Sequence, residues 1–403
     1  MKILRSEQHQ IKKTHQIYKT IDELCFKSKN LYNYANYILR QEFINNRNYI
    51  RCFDLQKILQ PHEIYKSLGS QASQKTLQLL DKSWKSFFVS IKDWSKNPSK
   101  YLGKPKLPKY KKKNGRYIVM LKNIQVMIKN QYIYFAWKPL KEFNNMFKTN
   151  VEGRLIQLRF IPKNNIYIME IIYEATVPNN MSKIENICGI DIGLNNFATL
   201  TNNMGLNPVV INGKPLKSYN QYWNKKLAYY KSILKKTNNK NWSNRLDTLS
   251  IKRFNKLKNY IHNSSKYIIN YCIENNIDTI VIGHNKEWKQ ESKLYKTINQ
   301  NFVQIPYNML IKQIQYKAED VGINTFITEE SYTSGTSFLD NEEPIKENYN
   351  KKRHIKRGLF QSNTGKLINS DVNGAYQIIK KVFSNAFANG IEGVGLHPIV
   401  INL

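Results

Sequence analysis

Between residues 20 and 43 the apolar residues Leu24, Leu31, Ala35, Ile38 and Leu39 recur at helical spacing, with Asp22 and Glu23 early in the run. A second helix is predicted over residues 70–94, where Ala72, Thr76, Leu79, Leu80, Trp84, Phe87 and Phe88 share one side. Together they outline a helical unit over 15–100. The period then changes. Residues 117–121, 125–128, 132–137, 155–160 and 166–175 are short β-prone runs separated by Asn, Gly and Lys. They predict a small antiparallel barrel or sandwich. Its aromatics Tyr132, Tyr134, Phe135 and Trp137 suit core packing, with base stacking as the alternative.

From residue 187 the pattern changes again. Ile187-Cys-Gly-Ile-Asp191-Ile-Gly-Leu-Asn-Asn-Phe-Ala-Thr-Leu200 is an apolar strand carrying an acid, then Gly193, then a second strand. A helical pair rich in Lys and Tyr is predicted over 218–236 and 242–275, followed by a buried-type strand, Thr279-Ile-Val-Ile-Gly283. After Pro306 a helix places Tyr307, Leu310, Ile311, Ile314, Ala318 and Val321 on one face and closes at Gly322. Residues 323–330 read as another strand ending in two carboxylates, and 369–383 as a helix with an acid at its start. Strands alternating with helices imply an α/β domain over 186–403.

At 403 residues the chain is long enough for two or three domains. Its 41% apolar and 12% aromatic content excludes a disordered chain. No apolar run approaches the roughly 20 residues of a bilayer span, and the start lacks a signal-peptide core. A cytoplasmic bacterial protein without a membrane partner is expected. Cys25, Cys52, Cys188 and Cys272 are scattered without a CxxC pair, which fits a reducing compartment. A net charge of +34 asks for an anionic partner, and a polyphosphate backbone is the obvious one. An AT-rich genome accounts for Lys outnumbering Arg, but not for the shortage of acids. Between Asp93 and Glu142 no acid occurs, and the basic residues are densest around Lys104, Lys109, Lys111, Lys112, Lys113 and Arg116. That stretch reads as phosphate-tracking surface or as a solvated linker. A second acid-free stretch runs from Asp191 to Asp247.

Where acids are scarce, an acid within an apolar strand needs a reason. Asp191 stands between Ile190 and Ile192, where an unpaired buried charge costs several kcal/mol or becomes protonated. A bound cation removes that cost. Hydrolysing a phosphodiester with metals needs carboxylates converging on ions about 3.5–4 Å apart, and hard oxygen ligands suit Mg²⁺. Asp371 is a second candidate, although the head of a helix equally suits an N-cap. Glu329 and Glu330 are further candidates, or ordinary exposed acids at a strand end.

The order Gly-Ile-Asp191-Ile-Gly-Leu-Asn-Asn-Phe-Ala-Thr, His262-Asn-Ser-Ser-Lys, Asn285-Lys-Glu-Trp-Lys-Gln, Glu330-Ser-Tyr-Thr-Ser and Asp371-Val-Asn-Gly-Ala resembles the TnpB family. These are transposon-encoded, RNA-guided DNA endonucleases related to type V CRISPR effectors and Fanzor proteins. Lys29-Asn-Leu-Tyr-Asn-Tyr-Ala-Asn-Tyr, Gln71-Ala-Ser-Gln and Pro108-Lys-Tyr-Lys-Lys resemble that family's recognition and wedge regions, so the likeness spans nearly the whole chain. It implies a multidomain α+β fold. A helical recognition domain (15–100) is inserted in a small β-barrel wedge (1–14 and 101–185). An RNase H-like, RuvC α/β nuclease domain (186–403) follows, with a helical insertion at 218–275.

By the resemblance Asp191 and Asp371 are the first and last catalytic aspartates. The family's middle glutamate usually closes the strand that here ends at Gly283. Either the nuclease is dead, or the glutamate has moved. Glu330 is the favoured substitute: the strand it ends should lie one beyond the Gly283 strand, and Glu-x-x-Thr-Ser resembles the alternative glutamate of Fanzor and some TnpB proteins. Glu329 should point the other way in a regular strand, and Glu287 is a weaker substitute. The family's zinc ribbon is also missing. Residues 335–370 hold no cysteine and one histidine, His354, so no zinc is predicted and the stretch reads as a zinc-free remnant in which Arg353 and Arg357 meet backbone phosphates or solvent.

The implied cofactor is Mg²⁺, as two ions, and the implied partners are a guide RNA and double-stranded target DNA beside a short flanking motif. The runner-up is a nuclease-inactive, RNA-guided DNA-binding repressor. A third reading is a guide-free transposase or junction resolvase.

Overall fold

The computed structural model describes residues 1–179, 183–285, 296–388, 390 and 393–403. Residues 2–176 form one unit, and Met1 with 177–403 the other.

The first unit runs β1 (Lys2–Ile11), α1 (Tyr18–Asn46), α2 (Cys52–Leu59), α3 (Glu63–Lys66), α4 (Ser70–Lys96), β2 (Val119–Lys122), β3 (Val126–Lys129), β4 (Tyr132–Phe135), β5 (Arg154–Lys163) and β6 (Ile166–Thr176). Exposure alternates along β1, the mark of a strand with one wet face. The antiparallel sheet has the order β1-β6-β5-β2, and β3-β4 is a separate hairpin. This corrects the expected barrel: the ladder is open, with β1 and β2 at its edges. The physical reason lies in the core, where Leu24, Leu31 and Trp84 of α1 and α4 share one buried cluster with Leu121, Phe160 and Met169 of the strands. Helices cover the inner face, so the sheet need not close on itself.

The basic stretch after α4 is not a free linker. Side chains of α1 grip its backbone: Asn36 Nδ2 donates to Pro108 O at 3.0 Å, Arg40 to the same oxygen at 3.0 Å, and Lys29 to Lys113 O at 2.7 Å. Asn33 both donates to Lys111 O and accepts from its N–H. Trp84 Nε1 in turn donates to Asn36 Oδ1, so the grip is tied to the core.

The second unit runs β7 (Ile187–Asp191), β8 (Asn196–Asn202), β9 (Val209–Asn212), α5 (Lys214–Asn238), α6 (Asn244–Glu274), β10 (Thr279–Gly283), α7 (Lys296–Gln304), α8 (Tyr307–Asp320), β11 (Asn324–Thr328), β12 (His354–Lys356), β13 (Leu359–Gln361), β14 (Leu367–Asn369), α9 (Ser370–Val382) and β15 (Ile399–Ile401). Its main sheet has the order β11-β10-β7-β8-β9-β15. β7, β8 and β9 are an antiparallel meander, β10 and β11 run parallel to β7, and β15 runs parallel to β9. Residues of α6 and α8 join the strands in one core, and Ile378 and Ile379 of α9 pack with Ile187 and Val281 in another. A Cβ on Gly189 would lie 2.4 Å from Ala375 O, so this glycine is what lets α9 lie directly on β7.

The structure departs from expectation in several places. α5 starts earlier than expected because Pro215 fits the first turn, where its missing N–H is harmless. β11 stops at Thr328, so Glu329 and Glu330 lie beyond the strand. Residues 351–369 form a small three-stranded sheet, whose Phe360 and Ile368 share a core with Phe338 and Tyr376. No helix among the described residues is long and apolar enough to cross a membrane.

Candidate active site

Two parallel strands bring the first site residues side by side. Ile282 stands opposite Ile190, which puts Gly283 abreast of Asp191, and Gly283 stands opposite Thr328 on β11. The chain leaving β11 turns back so that Glu330 reaches in front of Gly283. A Cβ built on Gly283 would fall 2.7 Å from Glu330 Oε1 and 2.8 Å from its Cγ. Backbone contacts hold that turn: Asn285 Oδ1 accepts from Glu330 N–H at 2.8 Å, and Thr333 Oγ1 donates to Glu330 O at 2.8 Å.

α9 delivers the last acid. Its N-cap is Asn369, whose side chain accepts from the N–H groups of Asp371 and Val372. Asp371 is thereby relieved of the capping role open to it in the sequence. Its Oδ2 instead accepts from Asn196 Nδ2 at 2.5 Å. Gly374 allows close approach here, since a Cβ on it would lie 3.0 Å from Asp191 Oδ2.

Asp191, Glu330 and Asp371 line one cavity of about 230 Å³, together with Asn285, Thr333, Ser334, His354, Ser370 and Gly374. Burial pushes the Asp191 carboxyl well above the usual range, and the charges of Asp371 and Glu330 push the same way against one backbone N–H bond from Ile192. Burial likewise raises Glu330 to about 7, with Lys381 pulling it down. Glu330 Oε1 is buried with no hydrogen-bond partner among the described residues. Carboxylates packed this way destabilise the fold unless a positive charge joins them. The donors are hard oxygens, the set a divalent cation of the Mg²⁺ class prefers. Among the described residues no three Asp, Glu, His or Cys side chains are gathered closely enough to enclose an ion as they stand. Asp371 is held from one side by Asn196.

The other candidates are dispersed. Glu329 faces outward, its side chain 61% exposed and paired with Lys381 at 2.8 Å. Glu287 lies outside the described residues. Lys104, Lys109, Lys112, Lys113 and Arg357 are exposed. Lys111 is half-buried, with its ammonium 4.6 and 4.8 Å from the ring centres of Tyr32 and Tyr117. Two arginines are engaged within the fold. Arg116 forms a two-pronged pair with Asp22 at 3.0 and 2.6 Å, and Arg353 one with Glu342 at 2.5 and 2.6 Å. Asn196, Asn285, Ser370 and the cavity-lining role of His354 escape sequence reasoning, because polar residues at the ends of elements or just beyond them carry no periodic signal. His354 is fixed by contacts to Ser334 O at 2.8 Å and Ser370 Oγ at 3.4 Å.

Two family models match the chain. OrfB_IS605, described as a probable transposase, matches residues 170–289, and the TNB domain of Cas12f1-like proteins matches residues 307–378. Among solved structures the chain is similar to a cryo-EM structure of a Cas12f1–sgRNA–target DNA complex, with 16% identity and a TM-score of 0.53 over 90% of this chain and 82% of that one. It is also similar to the mini-RNA-guided endonuclease CRISPR-Cas_phi3, with 8% identity and a TM-score of 0.50 over 98% of this chain and 94% of that one. At such identities the likeness is one of fold, and the fold is mixed α+β and multidomain. No curated protein matches the sequence.

Proposed function

The chain is a member of the TnpB family, and on that premise we propose that it is an RNA-guided DNA endonuclease, with Asp191, Glu330 and Asp371 as its catalytic carboxylates. The observation that carries this reading is the Glu330 carboxylate standing in the space left by Gly283, in the same cavity as the two aspartates. The sheet order β9-β8-β7-β10-β11, an antiparallel meander continued by two parallel strands, supports an RNase H-like, RuvC-type domain. Residues 15–100 would serve as the recognition part, and 1–14 with 101–185 as the wedge.

The three carboxylates would hold Mg²⁺, which when bound supplies Lewis acidity and a more acidic water. The chain's own residues do the positioning. Asn285 and Thr333 fix the backbone of Glu330, and Asn196 sets the angle of Asp371. The exposed lysines of the clamped basic strap, Lys104, Lys109, Lys112 and Lys113, present charge to a phosphate backbone. A guide RNA and double-stranded target DNA are the partners, with a short flanking motif read by the protein.

One observation favours a second reading. Gly283, where the family usually has its middle glutamate, lacks a ligating side chain, which suits an RNA-guided binder that does not cut. Plasmid cleavage with the native-locus RNA, in Mg²⁺ or EDTA, tests both. Guide-directed, Mg²⁺-dependent cutting that is lost in Glu330→Ala and Asp191→Ala supports the nuclease. Tight guided binding without cutting supports the binder, and full activity of RNA-free protein supports a guide-free transposase or resolvase.

A further inference from the structure

The hairpin of α5 and α6 sets aromatic rings on one helix against cations on the other. A groove of about 880 Å³ runs between them, lined by Tyr222, Trp223 and Tyr230 of α5 and by Arg245, Arg253 and Lys256 of α6. The guanidinium of Arg253 lies 4.7 Å from the Trp223 ring centre, and that of Arg245 lies 4.3 Å from the Tyr230 ring centre. No carboxylate lines the groove among the described residues.

A hairpin built for stability alone would bury such rings. Here Tyr222 is 59% exposed. Trp223 is half-buried beside it, its ring against the Arg253 guanidinium. Rings interleaved with cations are the surface on which unpaired bases stack while their phosphates meet positive charge.

We propose that this groove binds an unpaired stretch of RNA, with bases stacked on Tyr222 and Tyr230 and phosphates facing the cations of α6. RNA is favoured over DNA because the exposed Ser218 side chain lines the groove, and its hydroxyl suits the 2′-hydroxyl. The inference rests on the RNA-guided reading only for the source of that RNA. It stands or falls by binding, not cutting.

The test uses the full chain at fixed salt and three probes of equal length: an oligoadenylate RNA, the DNA of the same sequence, and a ribose-phosphate strand without bases. Tyr222→Leu/Tyr230→Leu is expected to weaken oligoadenylate binding about tenfold and to leave the baseless strand unchanged, with Tyr222→Phe/Tyr230→Phe restoring affinity. Photo-crosslinking of a thiouridine RNA should map to the α5 peptide containing Trp223. Three results would each overturn the proposal: an equal loss for both strands, no loss at all, or DNA binding at least as tightly as RNA. A plasmid-cleavage failure would leave it standing, because no probe here needs a target.

Discussion

The side chain of Glu330 fills the volume in front of Gly283, with its Oε1 2.7 Å and its Cγ 2.8 Å from where a Cβ would stand. A carboxylate can therefore approach Asp191 from the neighbouring strand end only because residue 283 has no side chain. Glycine there and glutamate at 330 are two halves of one arrangement.

That coupling predicts a non-additive pair. Gly283→Ala pushes against Glu330 and against Ile378, whose Cδ1 would be 2.4 Å away, so single-turnover cleavage should fall at least tenfold, ~1.4 kcal/mol. Glu330→Ala should abolish cutting, and Gly283→Glu in that background should recover part of it. A double variant no faster than Glu330→Ala would mean the two positions are not interchangeable sources of the ligand.

Like charges crowded around Asp191 predict a trade between stability and function. Asp191→Asn should melt a few °C higher than wild type in EDTA, at about 2–4 °C per kcal/mol for a unit of this size. Mg²⁺ should raise the melting temperature of wild type and not of the variant. A variant that melts lower than wild type without metal would show that the carboxylates are not in mutual conflict.

The Asp22–Arg116 pair predicts an acid-sensitive first unit. Burial alone would raise the Asp22 carboxyl, but hydrogen bonds from Arg116 and Tyr167 outweigh it and hold it below the ordinary value. With the folded value depressed, its contribution is present above about pH 4, the unfolded value, and is lost as pH falls through the folded one. Arg116→Ala should therefore lower the melting temperature at pH 7, and the gap from wild type should close toward pH 2–3. The salt dependence of RNA binding should hardly change. Lys112→Ala or Lys113→Ala should do the reverse, leaving melting alone and lowering the slope of log K against log salt by about 1.

Asn36 joins the core to the basic strap through Trp84 Nε1 and Pro108 O. Asn36→Leu leaves the buried indole N–H without its acceptor and releases Pro108 O, at a cost of about 1–3 kcal/mol. Limited proteolysis should then cut between residues 104 and 116 well before the rest of the unit opens. Unchanged protection would mean that Lys29, Asn33 and Arg40 hold the strap without Asn36.

The long helices are legible because their apolar period runs over many turns, and 20–43 and 70–94 fall within α1 and α4 as observed. The strand pattern around residues 187–200 and 279–283 is legible for a related reason: continuous apolar runs mark strands covered on both faces. Short strands such as β12, β14 and β15, of three residues each, hold too few positions for any period to show. The open sheet of the first unit was hidden as well, since alternation records which face is covered and not what covers it.

Asp191 announces itself in the sequence because an acid between two isoleucines on a buried strand demands compensation, and the run of cations after α4 announces a polyanion by charge alone. What only the tertiary structure decided is which groups face each other. Glu330 lies in the Gly283 gap, Asp371 is freed for the cavity by the Asn369 cap, and Arg116 and Arg353 pair with Asp22 and Glu342. Local pattern encodes burial and period. The partner of a charge is set by residues far along the chain, and only folding brings them within reach of one another.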